Sequence, residues 1–151
     1  MTNRFKLIPV VSIVLKKDNQ ILLLQCAPNT PYAGAYTLVG GHVDGKETFR
    51  QAAAREAYEE VGILINPEDL TFIHISHRKR DSDQQELVWI IFIAEKWTGI
   101  PHNNEPDKHS HMGFFPLDAL PMPLKPDFIQ AIFSNDKNSF SYSESGWLAL
   151  E

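Results

Sequence analysis

Residues 40–65 read GGHVDGKETFRQAAAREAYEEVGILI, and the second half of that stretch constrains the fold more than any other part of the chain. Its pattern is helical. Thr48 and Gln51 stand at capping-box spacing, and Gly62 suits a left-handed C-terminal cap. A helix from Thr48 to Gly62 carries Glu56, Glu59 and Glu60 close together, where like charges repel. On a wheel of about 100° per residue, Glu56 shares a face with Phe49 and Ala52, and Glu60 with Ala53, whereas Gln51, Arg55 and Tyr58 take the most polar arc. The carboxylates therefore border the apolar stripe instead of lying opposite it, and all three are expected to be partly buried.

Partly buried like charges raise each other's pKa values unless something positive holds them ionised. Arg55, one turn before Glu59, is a candidate but cannot neutralise three carboxylates. A hard divalent cation can, because oxygen donors at this density suit Mg²⁺. The helix alone also admits a plainer reading, a charged surface paired with lysines elsewhere.

Around this helix the chain reads as alternating β-runs and loops. LIPVVSIVL (7–15) and QILLLQC (20–26) predict a hairpin, AYTLV (35–39) a short strand running into Gly40-Gly41, and LTFIHISHR (70–78) with ELVWIIFIAEKW (86–97) a second antiparallel pair. Six of the ten prolines fall between 101 and 126, which predicts loop with one short strand at MGFF (112–115). PDFIQAIFSN (126–135) reads as a second helix, and the serine-rich end, 138–151, as a tail folding back on the sheet through Trp147. Strands outnumber helices without βαβ alternation, so a mixed sheet with helices packed on it is expected, in one domain over residues 1–151.

The order Gly41, five residues, Glu47, seven residues, then Arg55-Glu56-Ala57-Tyr58-Glu59-Glu60-Val61-Gly62-Ile63 resembles the Nudix box at every defined position. The resemblance implies an α+β fold, an α/β/α sandwich around a mixed sheet, and Mg²⁺-dependent hydrolysis of a nucleoside diphosphate linked to another group, with Mn²⁺ able to substitute. It implies that Glu56, Glu59 and Glu60 hold the metal, that Arg55 orients one of those glutamates, and that Glu47 braces the loop. A carbonyl of Gly40 or Gly41 would complete the metal shell, where glycine lets backbone approach a ligand. The base that activates water is often a later glutamate. Glu105 stands where similar proteins place it, with Asp107 and Glu86 as alternatives, and Lys108 is a candidate phosphate contact. The segment EPDKHSHMGFFPLDALP (105–121) is similar to relatives of the MutT type that cleave nucleoside triphosphates. ADP-ribose or dinucleoside polyphosphate cleavage, a non-catalytic nucleotide-sensing module and a diphosphate isomerase are the competing expectations. Two departures stand out: Tyr36 and Val39 occupy positions where many members have tryptophan and proline.

The remaining features exclude more than they assign. A formal net charge of −5 argues against a nucleic-acid duplex or an anionic membrane surface as partner. The single cysteine, Cys26, fits a small buried side chain in a reducing, cytoplasmic setting, and the apolar run near the N-terminus is too short to span a membrane. The six histidines show no zinc-site spacing, and His109 and His111 would alternate across a strand instead of facing one metal. Trp89, Phe114 or Phe115 could stack on a purine, although core packing is the simpler role. A homodimer is a family habit and has no sequence signature here.

Overall fold

A computed structural model describes residues 2–125, 132 and 140–147. Among the described residues the elements follow in the order β1 (Ile8–Lys17), β2 (Gln20–Cys26), β3 (Tyr36–Thr37), β4 (Val39–His42), α1 (Phe49–Val61), β5 (Thr71–Lys79), β6 (Glu86–Ala94), β7 (His109–Pro116) and β8 (Ser141–Ser145), with a 3₁₀ turn at Pro67–Asp69.

Strand β1 is the axis of the sheet. Along one edge it pairs in parallel with β6 from Ile8↔Leu87 to Leu15↔Ala94. A strand buried on both faces needs a continuous apolar run, which both segments supply. Along its other edge β1 changes partner. Near the hairpin turn it pairs with β2 (Lys16↔Ile21, Lys17↔Gln20), and further back it pairs with β4 (Val10↔His42 to Ile13↔Val39). The sheet therefore splits. One wing holds β6, β5 and β8, and the other holds β2 with β3 and β7 on its two sides.

The stretch read as one strand over 35–39 is in fact two, because the chain crosses from the β2 wing to β1 at Leu38. Gly40-Gly41 belongs to strand β4, not to a loop. A side chain at Gly40 would overlap the Val11 carbonyl, so glycine is what admits this pairing. Strand β7 begins three residues earlier than the MGFF run suggests, because its pairing with β2 continues to Cys26↔His109. The tail returns as β8, parallel to β5, and Trp147 packs on the His77 ring at 4.9 Å, as expected of an anchor.

Both faces of the sheet are buried. Val11, Ile13, Leu15, Leu22 and Leu24 face α1 through Ala52, Ala53, Ala57 and Val61. Val14, Ile21, Leu23, Ile73, Ile91 and Ile93 form a second cluster with Leu124 and Ile132. The second helix expected over 126–135 lies outside the described residues except for Ile132, which is buried in that cluster.

Helix α1 starts and stops where its sequence directs. Thr48 Oγ1 accepts from the Gln51 amide (3.2 Å), and Gln51 Oε1 accepts from the Thr48 amide (2.8 Å). Gly62 closes the helix at φ 70°. Thr48→Ala removes one arm of this reciprocal cap and is expected to cost ~1 kcal/mol in urea unfolding.

Candidate active site

The C-terminal half of α1, strand β4 and the loop before β7 meet around a cleft of about 500 Å³. Three hydrogen bonds join that loop to the helix end. The His102 amide donates to the Val61 carbonyl (3.0 Å), the Asn104 amide to the Glu60 carbonyl (3.0 Å), and Asn104 Nδ2 to the Tyr58 carbonyl (3.3 Å). The last carbonyls of a helix lack partners within it, and here the loop supplies them for Glu60 and Val61, while Tyr58 also accepts from the Gly62 cap amide at 3.0 Å. The same loop is a tight turn. The Lys108 and His109 amides both donate to the Glu105 carbonyl at 2.9 Å, which sets the Glu105 and His109 side chains beside each other.

Arg55 is the hub of the acidic cluster. Its Nε and Nη2 donate to the two oxygens of Glu47 (3.1 and 2.9 Å), Nη1 to Glu56 (3.0 Å) and Glu59 (3.1 Å), and Nη2 also to the His42 carbonyl (3.1 Å). The wheel put Arg55 on the polar arc, but a long side chain can leave its Cα direction, and here it folds back over the carboxylates. This fork holds Glu47 below the usual carboxylate range and raises the Arg55 guanidinium further above its own. Glu47 Oε1 also accepts from the Asp44 amide (3.0 Å), which ties the 44–47 loop to the helix.

The three box glutamates differ in burial. Side-chain exposure is 12% for Glu56, 49% for Glu59 and 9% for Glu60. The expectation of partial burial thus holds for Glu56 and Glu60, while Glu59 reaches half into solvent. Glu56 lies under Gly41, where any Cβ would overlap its carboxylate. Desolvation raises the Glu56 pKa, with Arg55 opposing. Burial pushes Glu60 up to about 8, even though its Oε2 accepts from the Gly40 amide at 2.8 Å.

Of the candidates outside the box, Glu105 reaches this cluster and Lys108 ion-pairs with it, Nζ to Oε1, at 2.8 Å. Glu86 instead meets His77 at 3.0 Å on the outer wing. Lys108 lines the cleft. His109, set aside on spacing, joins the site: one donor atom each from Glu60, Glu105 and His109 lie within 4.8 Å of one another. The reasoning about alternation holds, since His111 turns instead towards Tyr36 (6.5 Å) and Phe115 (6.2 Å). The signal that could have found His109 is its place four residues after Glu105 in a turn. Burial lowers its pKa.

This donor set fits a divalent cation. Glu105 Oε2 is buried without a hydrogen-bond partner among the described residues, and Glu60 and His109 are buried beside it. Such groups are costly unless something occupies their lone pairs.

The rest of the lining differs in character. Trp89 lines the cleft and donates from Nε1 to Ser12 Oγ (2.8 Å). Phe114 stacks on Trp97 at 6.3 Å, and Phe115 packs against Tyr36 at 5.3 Å, so neither serves the cleft. Tyr36 thus keeps the aromatic packing expected of it. Tyr32 and Lys125, which sequence reading did not single out, also line the cleft, with Lys125 Nζ 4.5 Å from the Tyr32 ring. Cys26 is buried as expected, and its remaining surface faces the same space.

A mixed sheet with an acidic helix end and a braced glycine strand defines a class of diphosphate-cleaving hydrolase, and sequence comparison agrees. The family model described as NUDIX domain matches residues 6–134, and the chain belongs to that family. It is 32% identical over 121 residues to an ADP-ribose pyrophosphatase of Methanocaldococcus jannaschii, covering 78% of this chain and 68% of that protein. It is 30% identical over 124 residues to a CTP pyrophosphohydrolase of Escherichia coli, covering 80% and 85%. Among solved structures, a MutT NUDIX hydrolase from Burkholderia pseudomallei superposes with a TM-score of 0.79 at 29% identity, over 87% of this chain and 100% of that one. The protein is a hydrolase acting on diphosphate bonds. Among the described residues no helix is long and apolar enough to cross a membrane.

Proposed function

We propose that the protein hydrolyses a nucleoside triphosphate to the monophosphate and pyrophosphate in a Mg²⁺-dependent reaction, with Mn²⁺ able to replace Mg²⁺. The observation that carries this reading is the half-buried Glu56 and the buried Glu60 in a cleft that Trp89, Tyr32 and Lys125 also line. The carboxylates suit a cation with phosphate oxygens, and the aromatic side chains suit a planar base, for which stacking contributes on the order of 1–3 kcal/mol. The relative named for CTP supports a triphosphate.

Glu56, Glu59 and Glu60 would hold the cation, which neutralises charge on the diphosphate and on the leaving oxygen. Arg55 positions Glu56 and Glu59 through its Nη1, while Glu47 fixes Arg55 through its Nε and Nη2. Gly40 and Gly41 keep the β4 backbone open to the phosphates, and Lys108 lines the same end. Glu105 takes a proton from the attacking water as the water oxygen bonds phosphorus and the bridging P–O bond breaks. Its Oε2 is the one carboxylate oxygen in the cluster that is buried and unpartnered among the described residues, as a base aimed inward requires.

The test is release of pyrophosphate or phosphate from a nucleotide panel with Mg²⁺. Glu105→Gln is expected to lower turnover tenfold or more, the usual worth of a general base. An unchanged rate would remove Glu105 from that role. A second reading, ADP-ribose cleavage, is favoured by the archaeal relative; AMP and a ribose phosphate, formed without pyrophosphate, would identify it.

A further inference from the structure

The geometry points to a mixed nitrogen–oxygen cation position formed by Glu60, Glu105 and His109, which selects a first-row transition ion over Mg²⁺. It rests on the proposed reading only in placing a cation in this cleft, and it adds a ligand outside the box glutamates. Glu105 Oε2 is a ligand while this position is filled and takes the water proton only when the cation sits on the box glutamates alone.

Each of the three residues is held with one donor to spare. Glu60 Oε2 is engaged by the Gly40 amide, which leaves Oε1, 3.8 Å from His109 Nε2. Glu105 Oε1 is engaged by Lys108, which leaves Oε2 buried and unpartnered. His109 is 8% exposed at its side chain, and Nε2, the ring nitrogen that faces Glu60, makes no hydrogen bond among the described residues. Two donors each ~2.1 Å from one ion stand roughly 3.0–4.2 Å apart, depending on the angle between them. The Glu60–His109 separation falls inside that range.

The backbone holds the arrangement in place. Asn103 Nδ2 donates to the His109 carbonyl (2.7 Å), Asn103 Oδ1 accepts from the Glu105 amide (3.1 Å), and His109 pairs with Cys26 on β2. Imidazole together with carboxylate suits Mn²⁺, Fe²⁺, Co²⁺ or Zn²⁺, whereas Mg²⁺ prefers oxygen donors and bound water. A buried imidazole between two carboxylates is therefore a selecting element, which a shell of box glutamates alone does not contain.

Electron spin-echo measurements on the full chain with Mn²⁺ and no nucleotide test this directly. Wild type is expected to show ¹⁴N coupling from a coordinated imidazole, and His109→Gln to lose it. Calorimetric titration should show Mn²⁺ affinity falling about tenfold or more in His109→Gln, since loss of even an outer-shell partner costs that much, with Mg²⁺ affinity unchanged. Glu105→Gln is the second variant: it should weaken Mn²⁺ binding yet keep the ¹⁴N signal, and thermal melting of each variant checks that it is folded. Absence of ¹⁴N coupling in folded wild type with Mn²⁺ bound would overturn the proposal, as would equal losses of Mn²⁺ and Mg²⁺ affinity in folded His109→Gln. Neither result depends on turnover, so failure of the nucleotide assay and failure of this site are separate outcomes.

Discussion

Glu56→Gln is expected to lower kcat/KM for a nucleoside triphosphate with Mg²⁺ by about 10²–10³-fold, the scale of losing one preorganised electrostatic contact to the reacting group. The same change is expected to raise the melting temperature of the metal-free protein. The two effects share one cause. Glu56 is desolvated beneath Gly41, and its charge is offset by Arg55 at 3.0 Å, which also serves Glu47 and Glu59. Glutamine keeps the shape and an oxygen to accept from Arg55 but removes the charge that the fold strains to hold. Lower activity with higher stability marks a residue kept for function at a cost to folding. A rate equal to that of wild type would show that Glu56 bears no charge needed for the reaction, and lower activity from a less stable protein would show that the change had merely damaged the helix.

The second large effect is on stability against pH in the absence of divalent cations. Glu60 has its pKa raised from 4.5 to about 8 by burial. Between those values the folded protein retains a proton that the unfolded chain releases, so stability is fully present below pH 4.5 and lost as pH rises through about 8. The loss is on the order of a few kcal/mol. His74 and His109 have pKa values lowered from 6.5 by burial, so their contribution runs the other way but is complete above 6.5. The depressed pKa of Glu47 acts only below 4.5. Glu56, raised by desolvation, adds to the Glu60 effect in the same direction, so the window free of opposing groups is pH 6.5–8. Melting temperatures in EDTA should fall across it, Glu60→Gln should flatten the slope, and Mg²⁺ or Mn²⁺ should restore wild type most strongly at the alkaline end. A flat wild-type profile would show that Glu60 is ionised without help.

Legibility in the sequence followed the range of the interactions involved. The limits of α1 were readable because Thr48, Gln51 and Gly62 act within a turn of the residues they cap. Burial of Glu56 and Glu60 was readable from their place beside the alanine stripe, since a helix fixes Cα directions. Arg55 was readable as a partner of Glu59, one turn away, but its further bonds to Glu47 and the His42 carbonyl were not, because their positions depend on β4. The division of 35–39 between two strands and the parallel pairing of β1 with β6 are long-range outcomes that local alternation does not encode. His109 was passed over for the same reason. Its neighbours Glu60 and Glu105 come from different elements, and only the turn at 103–109 assembles them. Tyr32 and Lys125 lie on loops whose sequence carries no periodic signal.

The hydrogen bonds from His102 and Asn104 to the end of α1 make the helix and the Glu105 loop a single rigid jaw. The spacing among Glu60, Glu105 and His109 is thus set by backbone contacts, whereas Tyr32 and Lys125 reach the same cleft from loops. Substrate range in this chain can drift through those loops while the chemistry stays fixed.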